Sequence, residues 1–390
     1  MPLPAAADLG RAVAAQRAGY LDELASLVNI DCGSYTPAGV NRVADFVATR
    51  FGELGATVER IAHQPADGES QLGDLLIGRL AGDGPRVLVI GHMDTVFDPG
   101  TAAARPFRID GDRARGPGVS DMKGGLLAGL HAIAALHASG VRPNVTFVAN
   151  PDEEIGSPFS TPHIRRLAAE HDAALVTECA RANGDIVSAR KGIADYEVTL
   201  LGRAAHAGVE PEKGRSAILE AARLVVALHD LNGRWPGVTL NAGVIAGGTR
   251  PNVVAERCRI ELDLRAETAA AFETAAAEVT RIVSQPTLDG VTSELRRLAH
   301  HPPMEKTAGS ARLAALAATT AAELGFVVRD TTTGGASDAN TTSAAGLPSL
   351  DGLGPIGGDD HSVDEWLDLA SIVPRTALLA GLMARIGEAL

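Results

Sequence analysis

The chain has 390 residues, of which 45% are hydrophobic and 3% aromatic, and its formal net charge is −13. A chain this acidic repels phosphate backbones, so no nucleic-acid partner is expected, and no apolar run reaches the ~18 residues that a membrane span needs. The length exceeds what one hydrophobic core usually supports, which predicts two domains.

The first half of the chain predicts an alternation of helices and buried strands. Residues from about Arg11 to Leu54 repeat Ala, Leu and Val at helical spacing. The apolar runs 86–91, 144–149 and 173–177 are typical of strands buried on both faces. An apolar helix is predicted from about residue 124 to residue 139.

Polar residues follow each of these three predicted strands. His92 and Asp94 come after the first, the pair Glu153-Glu154 after the second, and Glu178 after the third. Ligand sites in open α/β sheets collect at the carboxyl ends of the strands. The sequence therefore predicts that these side chains meet at one edge of a sheet.

The pattern changes near residue 188. Residues 193–201 alternate like a half-exposed strand, and a helix (216–231), two strands (238–245 and 257–264) and a second helix (269–284) follow. That order predicts a small α+β unit inserted into the first domain. Residues 1–187 and 303–390 would then form one α/β domain, with a mixed sheet covered by helices on both faces, and residues 188–302 the insertion.

The three cysteines, Cys32, Cys179 and Cys258, are odd in number and widely spaced. Such spacing is typical neither of a disulfide framework nor of a thiolate zinc site. The pattern favours a reducing compartment, and we expect the protein in the cytoplasm.

The imidazoles and carboxylates make up the ligand set of a paired metal site. Asp121, in the loop before the apolar helix, is predicted to bridge two ions that also share a water or hydroxide. His92 and Glu178 would hold one ion, and Glu154 and His361 the other. Nitrogen and oxygen ligands without thiolate favour zinc, with cobalt or manganese as the alternatives.

Two further carboxylates have predicted roles beside the ions. Asp94, two residues from His92, can accept the second N–H of that imidazole and fix its tautomer. Glu153 directly precedes a ligand, and adjacent side chains of an extended segment point apart. Glu153 is therefore predicted to be the general base that activates the metal-bridging water and passes the proton to the leaving amine.

Taken together, the motifs resemble those of the co-catalytic zinc carboxypeptidases and deacylases, a family that includes glutamate carboxypeptidase, acetylornithine deacetylase, succinyl-diaminopimelate desuccinylase and aminoacylase. The resemblance is greatest to the glutamate carboxypeptidase branch. It extends over roughly residues 27–382, and its motifs are His92-Met-Asp-Thr-Val, Gly116-Pro-Gly-Val-Ser-Asp-Met-Lys-Gly-Gly125, Asn150-Pro-Asp-Glu-Glu-Ile-Gly156, His206-Ala-Gly, Gly334-Gly-Ala-Ser-Asp338 and His361-Ser.

The resemblance implies further roles. The insertion would be a lid and dimerisation domain, so a homodimer is expected. His206 matches a lid histidine that helps to hold the oxyanion and, in dimers, reaches the partner's active site. Asn252 matches a lid residue near the substrate, and Arg265 an arginine associated with the substrate carboxylate. Gly335 lies in a glycine-rich loop that would line the pocket.

The chain departs from the branch at one place. Where the branch has an arginine placed to bind a substrate carboxylate, this sequence has His300-His301-Pro302-Pro303. An imidazole cannot copy the bidentate fork of a guanidinium. His301 remains a candidate for substrate binding, but a preference for C-terminal glutamate does not follow.

These observations predict a zinc-dependent enzyme with two ions per chain. Its substrate would be a small molecule with an amide bond, either an N-acyl amino acid or a peptide that loses its C-terminal residue. A carbamoyl or ureido amino acid is the alternative substrate. A non-catalytic binder of amino-acid derivatives is the alternative outside the enzymes, although a binder has no need of a general base.

Overall fold

The structure, a computed structural model, describes residues 5–390. Its strands are β1 (Thr57–Ile61), β2 (Leu75–Leu80), β3 (Asp83–His92), β4 (Arg108–Asp110), β5 (Arg113–Arg115), β6 (Pro143–Asn150), β7 (Ala173–Val176), β8 (Ile186–Arg190), β9 (Gly192–Leu201), β10 (Thr239–Gly247), β11 (Arg257–Ala266), β12 (Thr292–His301), β13 (Asp330–Thr333), β14 (Ser349–Leu350), β15 (Gly357–Gly358) and β16 (Trp366–Asp368). Its α-helices are α1 (Ala6–Ala14), α2 (Arg17–Val28), α3 (Pro37–Glu53), α4 (Thr101–Ala104), α5 (Gly125–Ala138), α6 (Thr161–Ala168), α7 (Ala217–His229), α8 (Ala269–Val283), α9 (Ala308–Glu323), α10 (Asp338–Ala344) and α11 (Ile372–Arg385).

The chain forms two compact units. The large unit consists of the residues up to Ser188, Lys306–Thr332 and Ser337–Leu390, and the insertion unit of Ala189–Glu305 and Thr333–Ala336. The sequence analysis placed the two boundaries after residues 187 and 302. It also placed 333–336 outside the insertion, but Arg190 donates to the Gly335 carbonyl at 2.9 Å and so ties this loop to the insertion unit.

The core of the large unit is a mixed sheet of six strands in the order β1-β2-β6-β3-β7-β14. Strand β3 runs parallel to β6 on one side and to β7 on the other, whereas β2 is antiparallel to both of its neighbours. The central strands are buried, because both faces of the sheet are covered. The predicted α/β class with a mixed sheet is confirmed.

Small residues let the helices approach this sheet closely. A Cβ on Gly78 of β2 would lie 2.7 Å from the Phe51 ring of α3, and a Cβ on Gly129 of α5 would lie 2.6 Å from the Phe147 ring of β6. The two phenylalanine rings are themselves in contact, with centroids 5.5 Å apart. Both rings are fully buried, so this contact is part of the packed core of the large unit.

The prediction of continuous helix from about residue 11 to residue 54 was wrong over residues 29–36. Here the chain leaves the helical path and pairs with the segment after β3. The Thr95 amide donates to the Cys32 carbonyl at 3.0 Å, and the Ser34 amide donates to the Thr95 carbonyl at 3.2 Å. Pro37 then starts α3. The detour brings Ser34 beside Asp94, as described below.

The insertion unit is an antiparallel sheet in the order β10-β11-β9-β12, packed against α7 and α8. The side chains of Ser216 and Thr268 cap the two helices by accepting backbone N–H groups three residues on. Along β9, buried residues alternate with partly exposed ones, as the sequence predicted.

The sequence analysis missed β12. This strand lies at an edge of the sheet and is largely exposed, so its charged residues hide the alternation that marks a strand. His301 is its last residue and pairs with Ile193 of β9. Within residues 5–390, no helix combines the length and the apolar character that crossing a membrane requires.

Candidate metal centre

The three predicted strand ends do meet. His92 is the last residue of β3, and it pairs in register with Asn150 at the end of the parallel neighbour β6. Glu153 and Glu154 follow β6, and Glu178 follows β7 on the other side of β3. Because the carboxyl ends of parallel strands share one edge of the sheet, the order of the strands brings these side chains to the same edge.

Asp121 lies between the two imidazoles. Its Oδ1 is 3.0 Å from Nε2 of His92, and its Oδ2 is 3.1 Å from Nε2 of His361. Nε2 of His92 is also 3.6 Å from a carboxylate oxygen of Glu178, and Nε2 of His361 is 3.1 Å from one of Glu154. The five side chains thus form two groups, and each group uses a different oxygen of Asp121.

Glu153 and Glu154 both lie at the centre, on a short turn. The segment is a one-turn 3-10 helix, Glu153–Ile155, so the prediction that it is extended chain was wrong. Glu154 has a ligand atom within 4.8 Å of His92 and Asp121, and Glu153 has one within 4.8 Å of His92 and Glu178. Both carboxylates therefore face the same centre, and Glu153 lies on the Glu178 side.

Asp94 supports the centre in two ways. Nδ1 of His92 is 3.0 Å from the Asp94 backbone carbonyl and 3.4 Å from its carboxylate, so the carbonyl is the nearer acceptor of the second imidazole N–H. The carboxylate accepts the amide N–H groups of Glu153 and Glu154, at 3.2 and 3.1 Å, and the hydroxyl of Ser34 at 2.6 Å. Asp94 thereby holds both the imidazole and the Glu153–Ile155 turn.

The electrostatics of the centre favour cations. Burial raises the pKa of Asp121, but hydrogen bonds from His361 and His92 outweigh burial and hold this pKa well below its usual range. Hydrogen bonds to Asp121 and Glu154 raise the pKa of His361 to about 10. Burial lowers the pKa of His92, but the Glu178 carboxylate and the hydrogen bonds to aspartates outweigh it and raise that pKa well above its usual value.

The general-base candidate, Glu153, is a buried carboxylate with a raised pKa. Burial, opposed by the His92 imidazole and reinforced by the Glu178 carboxylate, raises the pKa of Glu153 well above its ordinary value. A carboxylate with a raised pKa accepts a proton from water more readily than an ordinary one. Burial also raises the pKa of Glu154, against the hydrogen bond from His361.

The donor set fits divalent metal ions. Oε1 of Glu154 is buried and has no hydrogen-bond partner among residues 5–390, which is costly for a carboxylate unless a cation binds it. Imidazole nitrogens and carboxylate oxygens, without thiolate, suit zinc and its neighbours in the first transition series. His92, Asp121 and Glu178 would hold one ion, and Asp121, Glu154 and His361 the other.

A residue that the sequence analysis missed holds Asp121 in place. Glu365 is 1% exposed, and its carboxylate accepts the backbone N–H groups of Gly118, Ser120 and Asp121 at 2.9, 2.9 and 3.1 Å. Burial raises its pKa to about 7, against these three hydrogen bonds. An acid four residues after His361, next to a tryptophan, was the one available signal in the sequence.

Replacing Glu365 by Ala is expected to lower metal affinity about 10–100-fold, the usual cost of losing a group that orients ligands. Three buried N–H groups would lose their acceptor, and the loop that carries Asp121 would loosen. Competition with a fluorescent chelator measures the affinity. Glu365→Gln, which keeps one acceptor oxygen, should lose less. Unchanged affinity in Glu365→Ala would show that the loop holds Asp121 without Glu365.

His206 and Asn252, the predicted lid residues, both lie in the insertion unit. The Ala207 amide donates to the Asn252 carbonyl at 3.0 Å, and His206 forms a β-bridge with Val253. Both side chains are exposed. The two residues therefore lie on paired segments of the insertion unit. Because they are 46 positions apart in the sequence, the sequence analysis could not predict this pairing.

Arg265, Gly335 and His301 have local partners. Arg265 donates to the Asp263 carboxylate through Nε and NH2, at 2.9 Å each, and to the Gly334 carbonyl at 2.8 Å. Its guanidinium therefore holds the glycine-rich loop, and binding of a substrate carboxylate stays a prediction. Burial and the nearby His300 lower the pKa of His301, so that imidazole is uncharged at neutral pH and offers a carboxylate no positive charge.

Comparisons with known proteins agree on one family. Residues 88–385 match the model of peptidase family M20/M25/M40. The chain is 29% identical to carboxypeptidase G2 of Pseudomonas sp. (strain RS-16) over 97% of this chain and 92% of that protein. It is 30% identical to acetylornithine deacetylase of Myxococcus xanthus over 62% of this chain and 65% of that protein. Among solved structures, aminopeptidase PepT of Bacillus cereus superposes with a TM-score of 0.77, at 22% identity, over 95% of this chain and 98% of that one.

Proposed function

The chain belongs to peptidase family M20/M25/M40 and is a hydrolytic enzyme, and from that premise we propose that it is a dinuclear zinc hydrolase of amide bonds. The proposed substrates are N-acyl amino acids and peptides that lose their C-terminal residue. The observation that carries the proposal is the position of Asp121, with one carboxylate oxygen facing His92 and the other facing His361.

The residues of the centre divide the chemistry among them. Two divalent ions would polarise the scissile carbonyl and lower the pKa of a shared water. Glu153 takes the proton of the attacking water and returns it to the leaving nitrogen, so that water adds to the carbonyl carbon and the C–N bond breaks. Asp94 keeps His92 in one tautomer and holds the turn that bears Glu153. Cobalt or manganese would suit the same ligands.

The specificity of the proposed enzyme depends on whether His301 and Arg265 can attract a second carboxylate on the substrate. His301 is uncharged at neutral pH, and Arg265 is already paired with Asp263. We therefore expect no strong preference for a leaving amino acid that carries a second carboxylate. His206 and Asn252 are proposed to contact the substrate, with Gly335 in the loop that lines its pocket.

We also propose that the insertion, residues 188–302 by the sequence analysis, acts as a lid and joins two copies of the chain. The support is an edge strand, β10, that exposes 54% of Ile245, and a helix, α7, that exposes 63% of Val226. The proposed location is the cytoplasm, which the three buried, unpaired cysteines support.

The proposal is tested with a panel of N-acyl amino acids, dipeptides and N-carbamoyl amino acids, read by release of free amine. Zinc-loaded protein is expected to hydrolyse the first or second class, and removal of metal by a chelator should abolish turnover. Added zinc should restore it, because the ligands remain in place. Full activity after chelation would contradict the proposal. Release of amine from the carbamoyl compounds alone would show that the substrate is a carbamoyl amino acid, and the proposed metal chemistry would still apply.

A further inference from the structure

Two residues of the sequence motifs, Asn150 and Asp338, have no role in the chemistry proposed above. Asn150 is the last residue of β6, and Asp338 is the first residue of α10. Their exposed fractions are 0% and 3%. A polar side chain is costly to bury unless its hydrogen bonds are made, so the partners of these two residues indicate what they do.

The side chains of Asn150 and Asp338 meet at Ser157, which lies just beyond the Glu153–Ile155 turn. Nδ2 of Asn150 donates to Oδ2 of Asp338 at 2.6 Å and to the Ser157 hydroxyl at 2.9 Å. The Ser157 hydroxyl donates to Oδ1 of Asp338, also at 2.6 Å. The three side chains thus form a closed triangle, in which both carboxylate oxygens of Asp338 accept a hydrogen bond.

This triangle holds both ends of the segment that bears the general base. Before the turn, Oδ1 of Asn150 accepts the Asp152 amide N–H at 2.9 Å. After the turn, the Ser157 amide donates to the Asp152 carbonyl at 2.8 Å. The chain from residue 150 to residue 157 is therefore closed on itself, and Asp338 attaches the closed loop to α10.

The backbone at the end of this loop needs support. The φ angle of Ser157 is 54°, in the left-handed region that residues other than glycine seldom adopt. Such a conformation persists where the surrounding structure imposes it, and it is common at functional sites. The hydroxyl of Ser157 is held by Asn150 on one side and by Asp338 on the other. Loss of the Asp338 carboxylate should therefore loosen the chain that leaves the turn.

Asp338 is itself well fixed. Ser337 caps α10, because its side chain accepts the Ala339 amide N–H at 3.1 Å while its own amide donates to the Asn340 side chain at 3.0 Å. The Ser337 hydroxyl donates to the buried Asp351 carboxylate at 2.5 Å. The first turn of α10 thus provides a rigid point of attachment for the loop.

We propose that Asp338 is a positioning residue. Through Asn150 and Ser157 it holds the turn that bears Glu153 and Glu154 in the geometry that proton transfer and metal binding require. The inference rests on the proposed function for its effect on turnover. A displacement of about 1 Å caused by a change away from the reacting atoms can cost about 10²-fold in rate, so the support of this turn matters as well as its side chains.

Asp338→Ala, which removes both acceptor oxygens, is expected to lower kcat about 10–100-fold with zinc in excess. KM should change about 2-fold or less, because no side chain proposed to contact the substrate is altered. The affinity for zinc should also fall about 10-fold or more, because Glu154 lies on the same turn. Steady-state kinetics on an amide from the substrate panel and competition with a fluorescent chelator make the two measurements.

Glu220→Gln is the matched control. Glu220 is 0% exposed, and its carboxylate accepts three hydrogen bonds from Thr287 and Leu288 in the insertion unit. The variant also disturbs a buried, hydrogen-bonded carboxylate, so it should lower Tm. It should leave kcat and the affinity for zinc near their wild-type values, because Glu220 supports no part of the metal centre.

A swap of the two side chains tests the contact itself, even if Asp338→Ala does not fold. Asn150→Asp alone places two carboxylates against each other, which like charges disfavour, and it should lower kcat and the affinity for zinc. Adding Asp338→Asn places an amide against a carboxylate again. The double variant should therefore regain about 10-fold or more in each quantity relative to Asn150→Asp.

Three results would overturn the inference: wild-type kcat and zinc affinity in Asp338→Ala, a lower Tm alone as in Glu220→Gln, or a double variant no better than Asn150→Asp. The affinity for zinc separates this inference from the proposed function. If no amide is hydrolysed, the proposed function fails, but lower affinity in Asp338→Ala with recovery in the swapped pair would still support the positioning of the turn. Unchanged affinity in Asp338→Ala and in Asn150→Asp would overturn it.

Discussion

Glu153→Gln is expected to lower kcat about 10²–10⁴-fold or more, because a general base contributes that much to the rate. The metal content should stay near that of the wild type. The amide is nearly the same size as the carboxylate but cannot take a proton from water. Glu153 lies beside His92 and Glu178, and burial raises its pKa, as suits a group that must gain and lose a proton in each cycle. Steady-state kinetics and elemental analysis of the same sample make the measurement.

The adjacent residue is a matched control for this substitution. Glu154→Gln makes the same chemical change one position along the same turn, but Glu154 contacts His361 and has a buried oxygen without a partner. It should lower metal content as well as turnover. If Glu153→Gln loses metal as Glu154→Gln does, Glu153 is a ligand and not the base. Near wild-type turnover in Glu153→Gln would remove it from the chemistry altogether.

Asp121→Ala is expected to remove both ions and all measurable activity. Each group of ligands uses one oxygen of this carboxylate, so its loss leaves each ion short of a ligand and of a negative charge. In addition, the imidazole rings of His92 and His361 lose the carboxylate that contacts both of them. Elemental analysis after dialysis against trace zinc should find well below one ion per chain.

Asp289→Ala makes the same change on the exposed surface of the insertion unit and should keep the full metal content. One ion retained in Asp121→Ala would show that a single group of ligands suffices without the bridge. Two retained ions would show that Asp121 does not bridge at all. Circular dichroism of each variant checks that the loss of metal does not reflect loss of the fold.

The sequence predicted the centre where strand order alone determines position. His92 ends a buried strand, and Glu154 and Glu178 each come after one; the carboxyl ends of these parallel neighbours lie at one edge of the sheet. The metal-dependent family was predicted from the same motifs and is confirmed by the match over residues 88–385. The roles of the individual ligands stay predictions that the variants above test.

The sequence could not predict features that depend on contacts between distant segments. Glu365 lies 244 positions from Asp121 along the chain, and its place four residues after His361 does not reveal that it accepts three amide N–H groups. Likewise, the break in the first predicted helix exists because residues 32–34 pair with Thr95. Local helical spacing carries no information about such a partner.

The sequence analysis was also wrong about the local geometry of the Glu153–Ile155 turn. Side chains of an extended segment alternate, but the Glu153–Ile155 segment turns, and its amides donate to the Asp94 carboxylate. The turn exists because a buried carboxylate lies there to receive both N–H groups. Glu153 and Glu154 can therefore serve one centre from adjacent positions.

A crystal structure of zinc-loaded protein, with anomalous data collected at the zinc edge, tests the central claim most directly. We expect two peaks about 3.5–4 Å apart. One should lie against His92 and Glu178, the other against Glu154 and His361, with Asp121 between them. A single peak, or two peaks that do not share Asp121, would contradict a dinuclear centre built on that carboxylate.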